Sequence, residues 1–194
     1  MFAAQSQRSK HPFLLSAMHL LGPATGMERQ LTVAEISENW TSVVATELTK
    51  QEELRFSGVG LGLPGATADF ESSRSGDVIA FLTREHQQLN PIGISDSDPK
   101  PGEVVWLLSP NLVNDSLVHR AVCVSVMHDV FLVYEFDRRV AIPGTSGGPI
   151  VNEQGYVVGV HRGGGMQAGK TVGVATLASR FLPSLVQEIQ SKSW

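Results

Sequence analysis

Apolar positions along the chain fall in short runs. "FLLSAMHLL", "TSVVATEL", "DVIAFLT", "EVVWLLS", "LVHRAVCVSVM", "VFLVYEF", "PIVNE", "YVVGVHR" and "TVGVATL" are rich in β-branched and aromatic residues, with turn-forming residues between them. Many short strands with no helical pattern between them predict an all-β sandwich or barrel. One stretch has a different period. In "ASRFLPSLVQEIQ", Phe181, Leu182, Leu185, Val186 and Ile189 recur at helical spacing. That predicts a C-terminal helix docked by its apolar face, with Pro183 in its first turn. The segment "LNPIGISDSDPKPGE" (89–103) is rich in Pro, Asp and Ser and reads as a linker. It divides the chain into two β lobes, 1–90 and 101–194.

Composition narrows the function. The chain has 194 residues, enough for one compact unit or two small lobes sharing a core. A net charge of −4 gives no basic footprint, so nucleic acid is not an expected partner. A single cysteine, Cys123, rules out an internal disulfide framework, and its apolar strand marks it as a buried, inert thiol. No apolar run reaches the length of a membrane span. The first residues, "MFAAQSQRSKHPFLL", lack a long apolar core followed by a cleavage site, so no secretory leader is read there.

Candidate chemistry centres on "GTSGGPIV", where glycines flank Ser146. Glycine admits backbone conformations closed to other residues, so a tight turn can project the hydroxyl outward. The same glycines let the N–H groups of Gly144 and Ser146 converge as an oxyanion hole. A serine nucleophile needs a base. Of six histidines, His19 stands at the mouth of the apolar strand "PFLLSAMHLL", anchored yet open on one side. The base needs a carboxylate to hold its tautomer. Asp77 in "SGDVIAFLT" fits best, with Asp69 and Glu71 as rivals.

These three pieces and their order resemble the chymotrypsin/trypsin superfamily. "LLSAMHLL" resembles the family's histidine stretch, "GDVIAFL" its aspartate strand and "GTSGGPIV" its serine loop. "PKPGEVVWLLSP" resembles the segment that opens the second barrel in HtrA-like bacterial members, and "TVGVATLASRF" the last strand and helix start. The resemblance covers nearly the whole chain. It implies two six-stranded antiparallel β-barrels with a C-terminal helix. His19 and Asp77 would come from the first barrel and Ser146 from the second, across a cleft. The implied activity is that of a serine endopeptidase on a polypeptide substrate, with no metal or cofactor. Thr145 stands where digestive members have an aspartate that receives a freed N-terminus, so bacterial, HtrA-like and viral members are the better likeness. An intact but idle triad in a binding or scaffolding domain remains the alternative. An esterase on another fold fits less well, because there the histidine comes last.

"VVGVHRGG" resembles the pocket strand of glutamyl endopeptidases ("VIGIHWGG") and picornaviral cysteine proteases ("GIHVGG"). The implied substrate-binding set is His161, Ala141, Gly163 and Gly173, with His161 reading a Glu or Gln before the cut, and acting as a cation towards Glu. The usual Thr or Ser partner is replaced by Ala141. Strand alternation turns Arg162 outward. "GLGLPG" (60–65) matches a dinucleotide pattern but contains a proline and precedes no helix, so a surface loop is expected. His119 and His128 flank one strand as solvated or capping residues, and the histidines have no metal-ligand spacing.

Overall fold

Strands buried on both faces read as unbroken apolar runs, as FLL of Phe13–Ser16 and IAFL of Ile79–Leu82 do in the amino-terminal half. The computed structural model describes residues 1–8, 12–39, 42–46, 53–57, 60–61, 77–82, 89–110 and 116–191. In the first half it has β1 (Phe2–Gln5), β2 (Phe13–Ser16), α1 (Val33–Asn39), β3 (Ser42–Thr46), β4 (Glu53–Ser57), β5 (Gly60–Leu61), β6 (Ile79–Leu82) and β7 (Ile92–Gly93). Five of these strands form one sheet in the order β5-β6-β2-β1-β7, and β3 pairs with β4 alone. One sheet face carries Phe13, Leu15 and Ala80. The other carries Leu14, Ile79 and Phe81, which pack with Met18 and with Ile36 of α1.

The second half holds β8 (Val104–Leu108), β9 (Val118–Met127), β10 (Phe131–Phe136), β11 (Pro149–Val151), β12 (Val157–Gln167), β13 (Lys170–Leu177) and α2 (Ala178–Ser191). Its six strands close into a barrel, β10-β13-β12-β11-β8-β9. Alternation is clear in β9, where His119, Ala121 and Cys123 point in while Val118, Arg120 and Val124 point out. Among the described residues no helix is long and apolar enough to cross a membrane.

Several expectations change. One closed barrel is present; the first half shows an open five-stranded sheet and a separate strand pair among the described residues. The linker is stitched down at both sides. β7 pairs in parallel with β1, and Ile94, fully buried, bridges to Val157 of the barrel. Helix α1 was not anticipated. It starts with a capping box in which Thr32 Oγ1 accepts from the Glu35 N–H at 3.2 Å, while Glu35 accepts from the Thr32 N–H at 2.8 Å. Pro183 lies inside α2, past its first turn, on the exposed side. Gly60 and Leu61 of the expected surface loop form a strand edge on β6, and 62–76 lie outside the described residues.

Helix α2 is the joint between the halves. Its Phe181, Leu185 and Ile189 share one core with Phe13 and Leu15 of the sheet and with Val157 and Val160 of the barrel. Phe181→Ala should therefore lower the unfolding free energy by about 3–5 kcal/mol, the usual loss for a buried phenylalanine. Denaturant titration measures this, and a loss under about 1 kcal/mol, typical of surface changes, would contradict the shared core.

Candidate active site

The serine loop is a turn fastened at one carbonyl. The Thr145 N–H and the Thr145 hydroxyl both donate to Ile142 O, at 3.1 and 2.6 Å. Pro143 and Gly144 occupy the middle of that turn, and Gly144 has φ +85°. Proline followed by a positive-φ glycine defines a type II turn. Among the described residues the N–H groups of Gly144 and Ser146 donate to no acceptor, so both remain available for an oxyanion. The next residue is held by strand β12: Gly147 N–H donates to His161 O and His161 N–H donates to Gly148 O, each at 2.8 Å. A Cβ on Gly147 would sit 2.8 Å from Ser16 Oγ, 3.1 Å from Ala17 N and 3.4 Å from Leu20 Cδ1. Only glycine fits there, and the serine loop is thereby pressed against the residues that flank His19.

His19 sits not on a strand end but on a 3₁₀ turn, Met18–Leu21, that follows β2. The pairing of β2 with β6 places Ser16 opposite Ile79, which brings Asp77 alongside the turn. Met18 N–H donates to Asp77 O at 3.3 Å, His19 N–H donates to Asp77 Oδ1 at 2.6 Å, and His19 Nδ1 pairs with Asp77 Oδ2. The carboxylate thus grips the histidine by backbone and ring together. With Nδ1 bound to Asp77, Nε2 is left as the basic nitrogen of the neutral ring. Asp77 is 1% exposed. Asp69 and Glu71 lie outside the described residues. The structure thus groups His19, Asp77 and the serine loop, but the Ser146 hydroxyl donates to Arg162 O at 3.0 Å and makes no hydrogen bond to His19.

A bulge decides what β12 presents. Along its pairing with β13, His161 faces Ala175 and Gly163 faces Val174, so Arg162 is an inserted residue with no opposite number. Gly163 adopts φ +155°, a conformation that side-chain residues avoid. An inserted residue breaks alternation and re-aims side chains. As a result His161 and Arg162, neighbours in sequence, are both buried. This corrects the outward placement of Arg162.

Towards the barrel core, His161 Nδ1 meets the hydroxyl of the buried Tyr134. Tyr134 has room because Gly173 faces its ring without a side chain. Burial pushes the Tyr134 phenol well above its usual range, so it stays an O–H donor. Burial, and secondarily the charge of His19, lowers the His161 pKa to about 3. His161 is therefore neutral, which corrects the cation expected towards Glu. If Tyr134 O–H donates to Nδ1, only one polar hydrogen of the pair is left over, Nε2–H. The opposite arrangement leaves two unpaired groups. His161 Nε2 is buried and has no partner among the described residues. On its other side the bulge sends Arg162 to Asp77, with Nε 3.5 Å from Oδ2 and Cζ 5.0 Å from the Phe131 ring centroid.

The remaining candidates sort simply. Ala141 is half-buried in the approach to the serine turn. His119 is buried, with Nε2 2.9 Å from Ser109 O, rather than solvated or capping. The Cys123 thiol is pushed up to about 11 by burial and by Glu103, so it is no thiolate at neutral pH. Tyr134 and Arg162 were missed as site residues, and their one trace in the sequence is the glycine at 163 beside the arginine.

Residues 104–185 match the family model described as Trypsin, a span that contains Ser146, His161 and Arg162. A search of curated protein sequences returns no match. Among solved structures, the MamO protease domain from Magnetospirillum magneticum superposes with a TM-score of 0.53 at 16% identity, over 94% of this chain and 82% of that one. The serine endoprotease from Yersinia pestis gives 0.57 at 15%, over 96% of this chain and 60% of its own. The HtrA-type protease AlgW, solved with a decapeptide, gives 0.58 at 15%, over 94% of this chain and 50% of its own. The fold is therefore the trypsin-like serine protease fold.

The state of His161 has a consequence for stability. Folded, it resists protonation down to about pH 3, while its ordinary value is 6.5. Between those values the unfolded chain binds the extra proton. Stability due to this group is complete above pH 6.5 and is lost as pH falls towards 3, by at most about 1.4 kcal/mol per pH unit. In His161→Phe the decline across that window should be shallower. Denaturant titrations at a series of pH values measure it, and identical slopes would contradict a buried neutral His161.

Proposed function

We propose that the chain is a serine endopeptidase acting through an acyl-enzyme. Ser146 is the nucleophile, His19 the base and Asp77 its orienting acid. The observation that carries this reading is the double grip of Asp77 on His19, next to a serine turn with two unspent N–H groups. As Ser146 Oγ attacks the substrate carbonyl carbon, its proton passes to His19 Nε2. The oxyanion takes hydrogen bonds from the Gly144 and Ser146 N–H groups, and His19 returns the proton to the leaving amine. Water then repeats the sequence in reverse on the acyl-enzyme. In this reading 1–90 form the first barrel, and 101–194 form the second with α2. The cleft lies between them.

The specificity reading rests on His161 with Ala141, Gly163 and Gly173. A neutral imidazole whose Nδ1 is taken by Tyr134 has one hydrogen to give, from Nε2. That suits the amide oxygen of Gln before the cut, and Glu less well, since a buried carboxylate lacks a cation there. Cleavage after Gln should hold steady across pH 5–8 in peptide-library profiling. His161→Ala should lower kcat/KM for Gln substrates by about 1–3 kcal/mol and spare small apolar ones. A preference for Arg, Lys or Phe overturns the specificity reading and leaves the triad untouched.

A resting or latent form is the second reading, favoured by the Ser146 hydroxyl donating to Arg162 O instead of towards His19. Fluorophosphonate labelling separates the two. Labelling of Ser146, abolished in Ser146→Ala along with turnover by a factor on the order of 10⁴ or more, supports the enzyme. A folded protein that is never labelled and never cleaves supports the idle domain.

A further inference from the structure

Arg162 is a buried charge that the proposed chemistry does not use. Its side chain is 5% exposed and the Asp77 side chain it approaches is 2% exposed. Sequestering a guanidinium this way is unfavourable unless another charge answers it. One answering charge is the carboxylate that holds His19. Oδ2 of Asp77 faces both His19 Nδ1 and, at 3.5 Å, Arg162 Nε. The flat of the guanidinium is backed by Phe131 at the start of β10. The backbone of the same residue reaches the other end of the site, where its carbonyl accepts the Ser146 hydroxyl in the resting arrangement.

Resting on the reading of His19, Asp77 and Ser146 as a catalytic set, we infer that Arg162 is its positioning residue. It is borne on the bulge of β12 and spans from the acid of one half to the nucleophile of the other. Asp77 precedes β6 of the amino-terminal sheet and Ser146 precedes β11 of the barrel, so no shared strand fixes their separation. Arg162 touches both. Its guanidinium holds the carboxylate in the rotamer that receives His19, and its main chain is hydrogen-bonded to the serine. A lysine at this position keeps the charge but loses the planar fork and the stacking, so it should act as a partial substitute.

The test compares wild type with Arg162→Gln and Arg162→Lys by two readouts. The first is the exchange-protected, downfield proton resonance of His19 Nδ1–H against Asp77, which needs no turnover. The second is kcat and KM on a Gln-containing peptide. In Arg162→Gln the resonance should broaden or vanish, and kcat should fall by roughly 10–100-fold with KM within about threefold, the pattern of a lost orienting contact. Arg162→Lys should keep the resonance and recover at least half of the loss on a logarithmic scale. A folded Gln variant unchanged in both readouts overturns the proposal. So does a Lys variant no better than Gln, which assigns Arg162 to packing alone. If Gln does not fold, the Lys variant decides, and loss of the resonance in it overturns the proposal. A wild type without turnover overturns the catalytic reading only, since the resonance still reports whether Arg162 holds the Asp77–His19 pair.

Discussion

One inserted residue in β12 governs the geometry of everything around Ser146. In a regular strand, His161 and Arg162 would point to opposite faces, and one of them would meet solvent. The bulge turns both inward, one to Tyr134 and the other to Asp77. The backbone of His161 also fastens Gly147 and Gly148. The serine turn, the buried histidine and the link to the amino-terminal half therefore all hang from three consecutive positions, His161, Arg162 and Gly163. The glycine is what makes the insertion possible, because its φ of +155° is open to little else.

The serine turn itself is organised from within. Thr145 commits both its N–H and its hydroxyl to Ile142 O, and Pro143 restricts the turn from the other side. No ion pair from elsewhere in the described chain is needed to hold Gly144 in position. The buried threonine stands where the superfamily's digestive members use an aspartate to respond to a new terminus. Here a local clasp, the Thr145 hydroxyl on Ile142 O, holds the turn instead.

Much of the barrel was legible because its strands have one wet face. In β9 the alternation of His119, Ala121 and Cys123 with Val118, Arg120 and Val124 marks strand and orientation together. Helix α2 was legible because Phe181, Leu185 and Ile189 keep a helical period over several turns. Helix α1 was not, since seven residues hold barely two turns of pattern; only Thr32 and Glu35, three apart, signalled its start. His19, Asp77 and the serine loop could be read because each needs a distinctive neighbourhood in sequence. Arg162 and the charge of His161 could not. Alternation is a rule for regular strands, and an insertion inverts it without changing composition. The neutrality of His161 depends on desolvation by residues remote in sequence, above all Tyr134, 27 positions away. The resemblance implies a first barrel, while the described residues of that half form an open sheet and a strand pair.

The core shared through α2 bears on how the protein is born. A chain is made from its amino terminus, and early segments fold when their partners are available. The inner face of the first sheet, with Phe13, Leu15 and Ala80, is covered by Phe181, Leu185 and Ile189 of α2, which is synthesised after every strand it packs against. Until that helix leaves the ribosome, the first half carries a bare apolar face and the bulge of β12 has only just been translated. Nascent chains would thus expose an apolar face until α2 emerges, and the cluster of Asp77, His19 and the serine turn would settle only once that helix has docked.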